Sequence, residues 1–256
     1  MTVRYQLSGG RATITIDDPE RRNPMSVETM GSLLHHTQQA VDDAKVRVIV
    51  YTGAGEDAFC AGGDLSGSFV DDPVGLHQGR GDMASLFRLM MRGGKPTIAR
   101  VNGHALAGGF GLAVACDITI CVDDAKLGTT EVKVGLWPMM ISAVLARVMP
   151  RKAVLELMLT GRMITPEEAL RLGAVSRVVS REELDVAVDE TVAALMTMSP
   201  TTIMIGKDSF NSMADSDLDT AFDRLQGGLT EIAMTDDAGE GVAAFLGKRS
   251  PQWSGS

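Results

Sequence analysis

Aromatic side chains are scarce in this sequence: Phe, Tyr and Trp together make up 4% of its 256 residues. Stacked rings contribute little, whereas 28 glycines make close backbone approaches a leading feature. Cysteine is sparse too. Cys60, Cys116 and Cys121 form no C-x-x-C pair and leave an odd count, which argues against a disulfide scaffold and for a reducing, cytoplasmic compartment. His35, His36, His77 and His104 lack metal-ligand spacing, so no metal site is expected. A basic surplus is missing: 24 Lys and Arg stand against 33 Asp and Glu, for a net charge of −9, and acidic residues lead in each half of the chain. This argues against generic binding of nucleic acid or an anionic membrane. Long apolar runs are absent as well. The longest uncharged stretch, Val101–Cys116, holds Asn102, His104 and four glycines and is too short and polar for a bilayer span. The opening MTVRYQLSGG has no apolar core of signal-peptide type.

What is present is an ordinary globular composition, 45% hydrophobic and 22% charged, in a chain long enough for a large core. Ala12–Ile16 reads as a strand that stops at the turn Asp17-Asp18-Pro19. Ser26 is placed to cap a helix with apolar positions Val27, Met30, Leu34, Val41 and Ala44. Val46–Thr52 is a nearly continuous apolar run, as in a strand covered on both faces. Residues Ser66–Gly81 are expected to form a mobile loop, followed by a helix over Asp82–Arg92 and strands over Pro96–Val101 and Ile118–Val122. The order strand, glycine loop, helix, strand thus occurs twice. The last 120 or so residues read as mostly helical by caps and first-turn prolines: Pro138 and Pro150 fit first turns, and Thr165-Pro166-Glu167-Glu168 opens a helix. Leu184, Val188, Thr191 and Leu195 form one stripe; Leu218, Phe222, Leu225, Leu229 and Ile232 form a stronger one that needs a partner. A boundary is expected near residue 200, between an α/β body (1–199) and a helical extension (200–256).

Two glycine loops follow apolar strands and precede helices: Cys60-Ala61-Gly62-Gly63-Asp64 and Ala107-Gly108-Gly109-Phe110-Gly111. Together they suggest a pair of backbone N–H donors for an oxyanion. A dinucleotide site is not indicated, because the second loop is not G-x-G-x-x-G, and no lysine completes a P-loop. No G-x-S-x-G occurs for a serine hydrolase. Cys60 is better read as a buried small residue than as a nucleophile, and His104 as packing and bonding backbone. Sixteen methionines suit an adaptable pocket and an ordinary core alike; Trp137, Met139, Met140, Met83, Leu86, Met90 and Met91 are left between these two readings.

Val101-Asn102-Gly103-His104-Ala105-Leu106-Ala107-Gly108-Gly109 and Phe59-Cys60-Ala61-Gly62-Gly63-Asp64-Leu65 resemble the two signature loops of the crotonase, or enoyl-CoA hydratase/isomerase, superfamily. Asp117-Ile118, Leu127-Gly128-x-x-Glu131-Val132-Lys133-x-Gly135-Leu136-x-Pro138, Leu159-Thr160-Gly161, Ala169-x-x-x-Gly173-x-Val175 and Phe245-Leu246-x-Lys248-Arg249 extend the likeness over nearly the whole chain. The resemblance implies an α/β spiral of ββα units with a C-terminal helical trimerisation segment, in trimers or hexamers. It implies an acyl-CoA substrate, with coenzyme A as part of that substrate and no metal or redox cofactor.

By the same resemblance the Gly63 and Gly108 amides hold the thioester carbonyl and its enolate. The Ala61 carbonyl meets the adenine, and Arg22-Asn23-Pro24-Met25 holds the pantetheine and nucleotide. Gly62, Asp64, Leu65, Gly109, Gly111 and Trp137 belong to the binding site, and Lys248 and Arg249 match cations near the CoA phosphates. Hydratases of the family carry two glutamates. One matches Glu131; the other position holds Gly111, which has no side chain. A 1,3-proton shift needs one base, whereas water addition calls for two polar groups. The reading therefore leans to Δ3,Δ2-enoyl-CoA isomerisation. Its rivals are hydration with another second group, Asp64 being nearest in sequence, and an acyl-CoA-binding protein with weak catalysis.

Overall fold

The computed structural model describes residues 2–65 and 74–256. Strands β1 (Val3–Ser8) and β2 (Arg11–Ile16) pair antiparallel, and Ala12, Ile14 and Ile16 point into the core. β1 has no counterpart in the sequence reading. Only Val3 of its residues is buried, and an edge strand of this kind shows no apolar alternation. Helix α1 (Val27–Asp42) begins at Ser26, whose Oγ accepts the Thr29 amide at 3.1 Å. Its fully buried line is Thr29, Leu33, Thr37 and Ala40; of the expected stripe, Met30, Leu34 and Val41 are half-buried and pack against the core, whereas Val27 is exposed and Ala44 lies past the helix end. A hydroxyl is accommodated on this line because Thr37 Oγ1 bonds the Leu33 carbonyl (2.7 Å) and the Tyr51 hydroxyl (2.8 Å), leaving no buried polar group unpaired there.

The chain continues through β3 (Val48–Gly53), β4 (Ala58–Cys60), α2 (Gly75–Arg92), β5 (Thr97–Val101), β6 (His104–Leu106), α3 (Gly108–Ala115), β7 (Ile118–Val122) and β8 (Leu127–Gly128). A 3-10 turn over Glu131–Val134 leads into α4 (Met139–Val148), α5 (Arg151–Thr160), α6 (Pro166–Arg171), β9 (Arg177–Val179) and α7 (Leu184–Met196). Helices α8 (Pro200–Met213), α9 (Leu218–Ala233) and α10 (Asp236–Leu246) end the chain. One sheet has the order β1-β2-β3-β5-β7-β9, parallel beyond the first pair; a smaller parallel sheet has the order β4-β6-β8. Each turn of the spiral lays one strand in each sheet before a helix. The third turn is hidden in the sequence because β8 has only two residues.

Of the loop expected over Ser66–Gly81, residues 66–73 lie outside the described residues and Gly75 onward is helix. Packing outweighs the weak helix propensity of its glycines: a Cβ on Gly79 would lie 2.7 Å from Val27 Cγ1 of α1. Pro138 and Pro150 sit one position earlier than expected, as the capping residues of α4 and α5, whereas Pro166 opens α6 behind the Thr165 cap. In α7 the buried line is Leu184, Ala187, Val188 and Val192, with Thr191 and Leu195 half-buried beside it. Helix α8 is tied to the α/β body by Lys207, whose Nζ donates to the carbonyls of Met90 (2.6 Å) and Lys95 (2.8 Å) and to Asp117 (2.7 Å). On α9, Leu218, Phe222 and Leu229 are all more than 60% exposed.

Candidate active site

The three strands of the small sheet run parallel, so their C-terminal ends share one edge. The segments that follow β4, β6 and β8 therefore converge there. Ala61, Gly63 and Leu65, then Ala107 and Gly108, then Thr130 and Glu131 line one cavity of about 600 Å³, completed by Met25, Met30, Arg80, Met83 and residues 134–141. The two glycine loops touch: a Cβ on Gly62 would lie 2.7 Å from Ala107 Cβ.

The first loop is held by the segment 22–25. Ala61 N–H donates to the Arg22 carbonyl (3.0 Å), Met25 N–H to Gly62 (2.8 Å), and Asp64 N–H to Met25 (3.0 Å). In this parallel bridge of Met25 with Gly63, the hydrogen bonds are made by the neighbours of Gly63, and its own N–H faces away from Met25. Gly108 is the first residue of α3, so its N–H has no intrahelical acceptor and lies at the positive end of the helix dipole. Ala107 before it has φ +52° and ψ −125°, a strained conformation for a residue with a side chain. It is held there by the bond from its amide to the Gly128 carbonyl (2.8 Å).

Asn23 anchors the supporting segment. It is fully buried; its Oδ1 accepts the Asp18 amide (3.0 Å) and its Nδ2 donates to the carbonyls of Ala54 (2.9 Å) and Ala58 (2.7 Å). Asn23→Ala is expected to lower stability by roughly 1–3 kcal/mol, through backbone groups left unpaired. Urea unfolding followed by circular dichroism checks this; an unchanged midpoint would refute it.

Glu131 opens the 3-10 turn after β8. It lines the cavity, and its Oε2 is buried with no hydrogen-bond partner. Burial pushes its carboxyl above the ordinary 4.5, against a smaller opposing effect of its own backbone amide. An oxygen without a hydrogen-bond partner, on a carboxyl that lines a largely apolar cavity, is free to take and return a proton.

The remaining residues expected at the site separate. Trp137, Leu65, Met25 and Ala61 line the cavity. Gly109 and Gly111 do not; both are packing positions. A Cβ on Gly109 would lie 2.3 Å from the Cys60 carbonyl oxygen of β4, and one on Gly111 would lie 2.1 Å from Ile141 Cγ2. Asp64 grips the Arg21 guanidinium through both oxygens (2.8 and 2.7 Å) and does not line the cavity. Arg22, with φ +62°, belongs to a second cavity of about 470 Å³ shared with Asp124 and Arg181. Pro24 is buried and lines neither. Lys248 is exposed and also lines neither cavity. Arg249 is engaged by Glu240 (2.6 and 2.7 Å), which holds that carboxyl down to about 2.

The structure also sorts the methionines. Met83, Met139 and Met140 line the cavity, Leu86 and Met90 are core, and Met91 packs against that core. Met30, Arg80, Thr130 and Ile141 are cavity residues that the sequence reading missed. Arg80 stands three residues before Met83 and would have been placed beside it had the helix been extended through the glycines. His104 Nδ1 accepts the Lys126 amide (3.1 Å). Cys60 is fully buried, and burial pushes its thiol up to about 12, so it is no nucleophile at neutral pH. Among the described residues no three His, Cys, Asp or Glu side chains converge as metal ligands, and no helix is long and apolar enough to cross a membrane.

Comparison with known proteins agrees with this geometry. The profile of a family described as enoyl-CoA hydratase/isomerase matches residues 7–256. A Thermus thermophilus protein provisionally named an enoyl-CoA hydratase is 36% identical over 252 residues, covering 96% of this chain and 98% of its own length. Carnitinyl-CoA dehydratase of Escherichia coli is 34% identical over 253 residues, covering 97% of this chain and 96% of its own length. The crystal structure of an enoyl-CoA hydratase from Bacillus anthracis superposes with a TM-score of 0.94 at 28% identity, over 100% of both chains.

Proposed function

Because the chain belongs to the enoyl-CoA hydratase/isomerase family, we propose that its cavity receives the thioester of an acyl-CoA and moves a proton on it, with Δ3,Δ2-enoyl-CoA isomerisation as the reaction. The observation that carries this is the unpartnered Oε2 of Glu131, on the only Asp or Glu that lines the cavity among the described residues. The Gly63 and Gly108 N–H groups hold the thioester oxygen. As Glu131 takes a proton from C2 of a 3-enoyl thioester, the electron pair moves into an enolate whose negative oxygen those donors stabilise. The same carboxyl then returns the proton at C4, leaving the double bond between C2 and C3. Coenzyme A enters as part of the substrate, and the scheme calls on no other cofactor. Three buried thiols suit a reducing cytoplasm.

A second reading, water addition or elimination, is favoured by the names of the relatives, a hydratase and a dehydratase. It asks a single carboxylate, with Thr130 as the cavity's nearest hydroxyl in sequence, to orient water. Mass-resolved products from 2-enoyl- and 3-enoyl-CoA distinguish the two. Isomerisation is expected to lead, and hydration faster by orders of magnitude would overturn that assignment. A catalytically weak acyl-CoA-binding protein would show no exchange of the C2 proton; either enzyme would.

The helical segment from residue 200 serves, on this reading, to assemble trimers, alone or paired as hexamers. Its support is the apolar row Leu218, Phe222, Leu225 and Leu229, which the single subunit leaves uncovered. Light scattering is expected to report three or six times 27.2 kDa. A monomer at micromolar concentration contradicts this.

A further inference from the structure

We propose that Ile141 is a specificity-determining residue: seated against Gly111, it forms a rigid wall that admits acyl groups unbranched at C2 and C3 and rejects branched ones. The inference rests on the reading of the cavity as an acyl-CoA site. Ile141 lies in the first turn of α4, is 2% exposed and lines the cavity. A Cβ on Gly111 would meet its Cγ2 at 2.1 Å and its Cβ at 2.6 Å, and Phe87 Cζ at 3.4 Å. The isoleucine therefore occupies that space only because residue 111 has no side chain.

Gly111 follows Gly108 by three residues on α3, on the same helix face and a rise of about 4.5 Å along the axis. A thioester oxygen held at the Gly108 amide thus has Ile141 within reach of the carbons next to the carbonyl. A β-branched side chain in a helix has one strongly preferred rotamer, and the contact with α3 denies Ile141 an escape. Five methionines of the wall are of another kind. Met25, Met30, Met83, Met139 and Met140 are unbranched and adjust to what they meet. Beside the Gly108 amide itself the wall is compliant, being the ends of Met25 and Met83; one helical turn on, at Ile141, it is stiff, so the cavity discriminates branching on the Ile141 side and tolerates variation where methionines line it.

The test compares kcat/KM for straight-chain enoyl-CoAs and their 2-methyl and 3-methyl counterparts, in the unaltered protein and in Ile141→Val and Ile141→Ala. The unaltered protein is expected to favour straight chains. Ile141→Ala should shift the ratio toward branched substrates by roughly 10–200-fold, the worth of a methylene-sized change in an apolar pocket. Ile141→Val should fall between, with distal chain-length preference unmoved. Calorimetric affinities for butyryl-CoA and isobutyryl-CoA should shift in the same direction without turnover. Gly111→Ala, which drives Ile141 into the cavity, should weaken straight-chain turnover, and adding Ile141→Ala should restore part of it. An unchanged branched-to-straight ratio in folded Ile141→Val and Ile141→Ala overturns the proposal while leaving the acyl-CoA reading intact. Failure of the unaltered protein to bind any acyl-CoA overturns the reading beneath it.

Discussion

Replacing Glu131 by glutamine is expected to slow proton transfer on a bound 3-enoyl-CoA about 10²–10⁴-fold, the usual worth of a positioned general base. Affinity for the acyl-CoA should change little, since the backbone donors and the apolar wall remain. Stability should move in the opposite direction. Burial raises the Glu131 pKa in the folded chain above its ordinary 4.5, so the folded state holds this proton more tightly than the unfolded state. The ionised carboxylate therefore weakens the fold at neutral pH, and protonation relieves the penalty as pH falls through the raised value toward 4.5. Glu131→Gln should accordingly raise the melting temperature at pH 7–8 and make no difference below the window. In the unaltered protein, proton-exchange activity should fall on the acid side at a pH above 4.5, because the base must be ionised. Normal turnover by the glutamine variant would remove Glu131 from the mechanism, and a lower melting temperature at pH 8 would show that the carboxylate is structurally bound after all.

Gly108→Pro should lower kcat by about 10²–10³, equivalent to roughly 2.7–4 kcal/mol for one lost oxyanion donor. Proline suits the first residue of a helix, where no N–H is needed for the helix itself, and Ala107 is already outside the α region that a following proline disfavours. The control is Gly108→Ala, which keeps the donor. Its methyl would meet the ends of two flexible side chains, Met25 Cε at 2.5 Å and Met83 Cε at 3.1 Å, so its activity should exceed that of the proline variant by at least tenfold. Equal activities in two proteins of unchanged circular dichroism and mass would take the Gly108 amide out of the oxyanion site.

The family resemblance pointed to Glu131; the sequence by itself determined β2, β3, β5 and β7, most of the helices and the two glycine loops. These are local signals: β3 is buried along its whole length and reads as a continuous apolar run, and Ser26 and Thr165 announce helices by capping them. Glycine after an apolar strand marks a close backbone approach wherever it occurs. It does not say what is approached. Gly108 and Gly109 are neighbours with the same letter, yet one lines the cavity while the other lies against the Cys60 backbone.

What only the tertiary structure decided are the relations between segments remote in the chain. Asp64, the nearest candidate in sequence for a second catalytic group, is taken up by Arg21 forty-three positions away. The space beside Gly111 is filled by Ile141 from α4. Helix α2 extends through glycines because α1 packs against it. Side-chain periodicity reports which face of an element is buried, whereas the partner on that face is chosen by the order of strands in the two sheets. That order brings the ends of β4, β6 and β8 to one edge and so places two backbone amides and one carboxyl with an unpartnered oxygen around the same cavity.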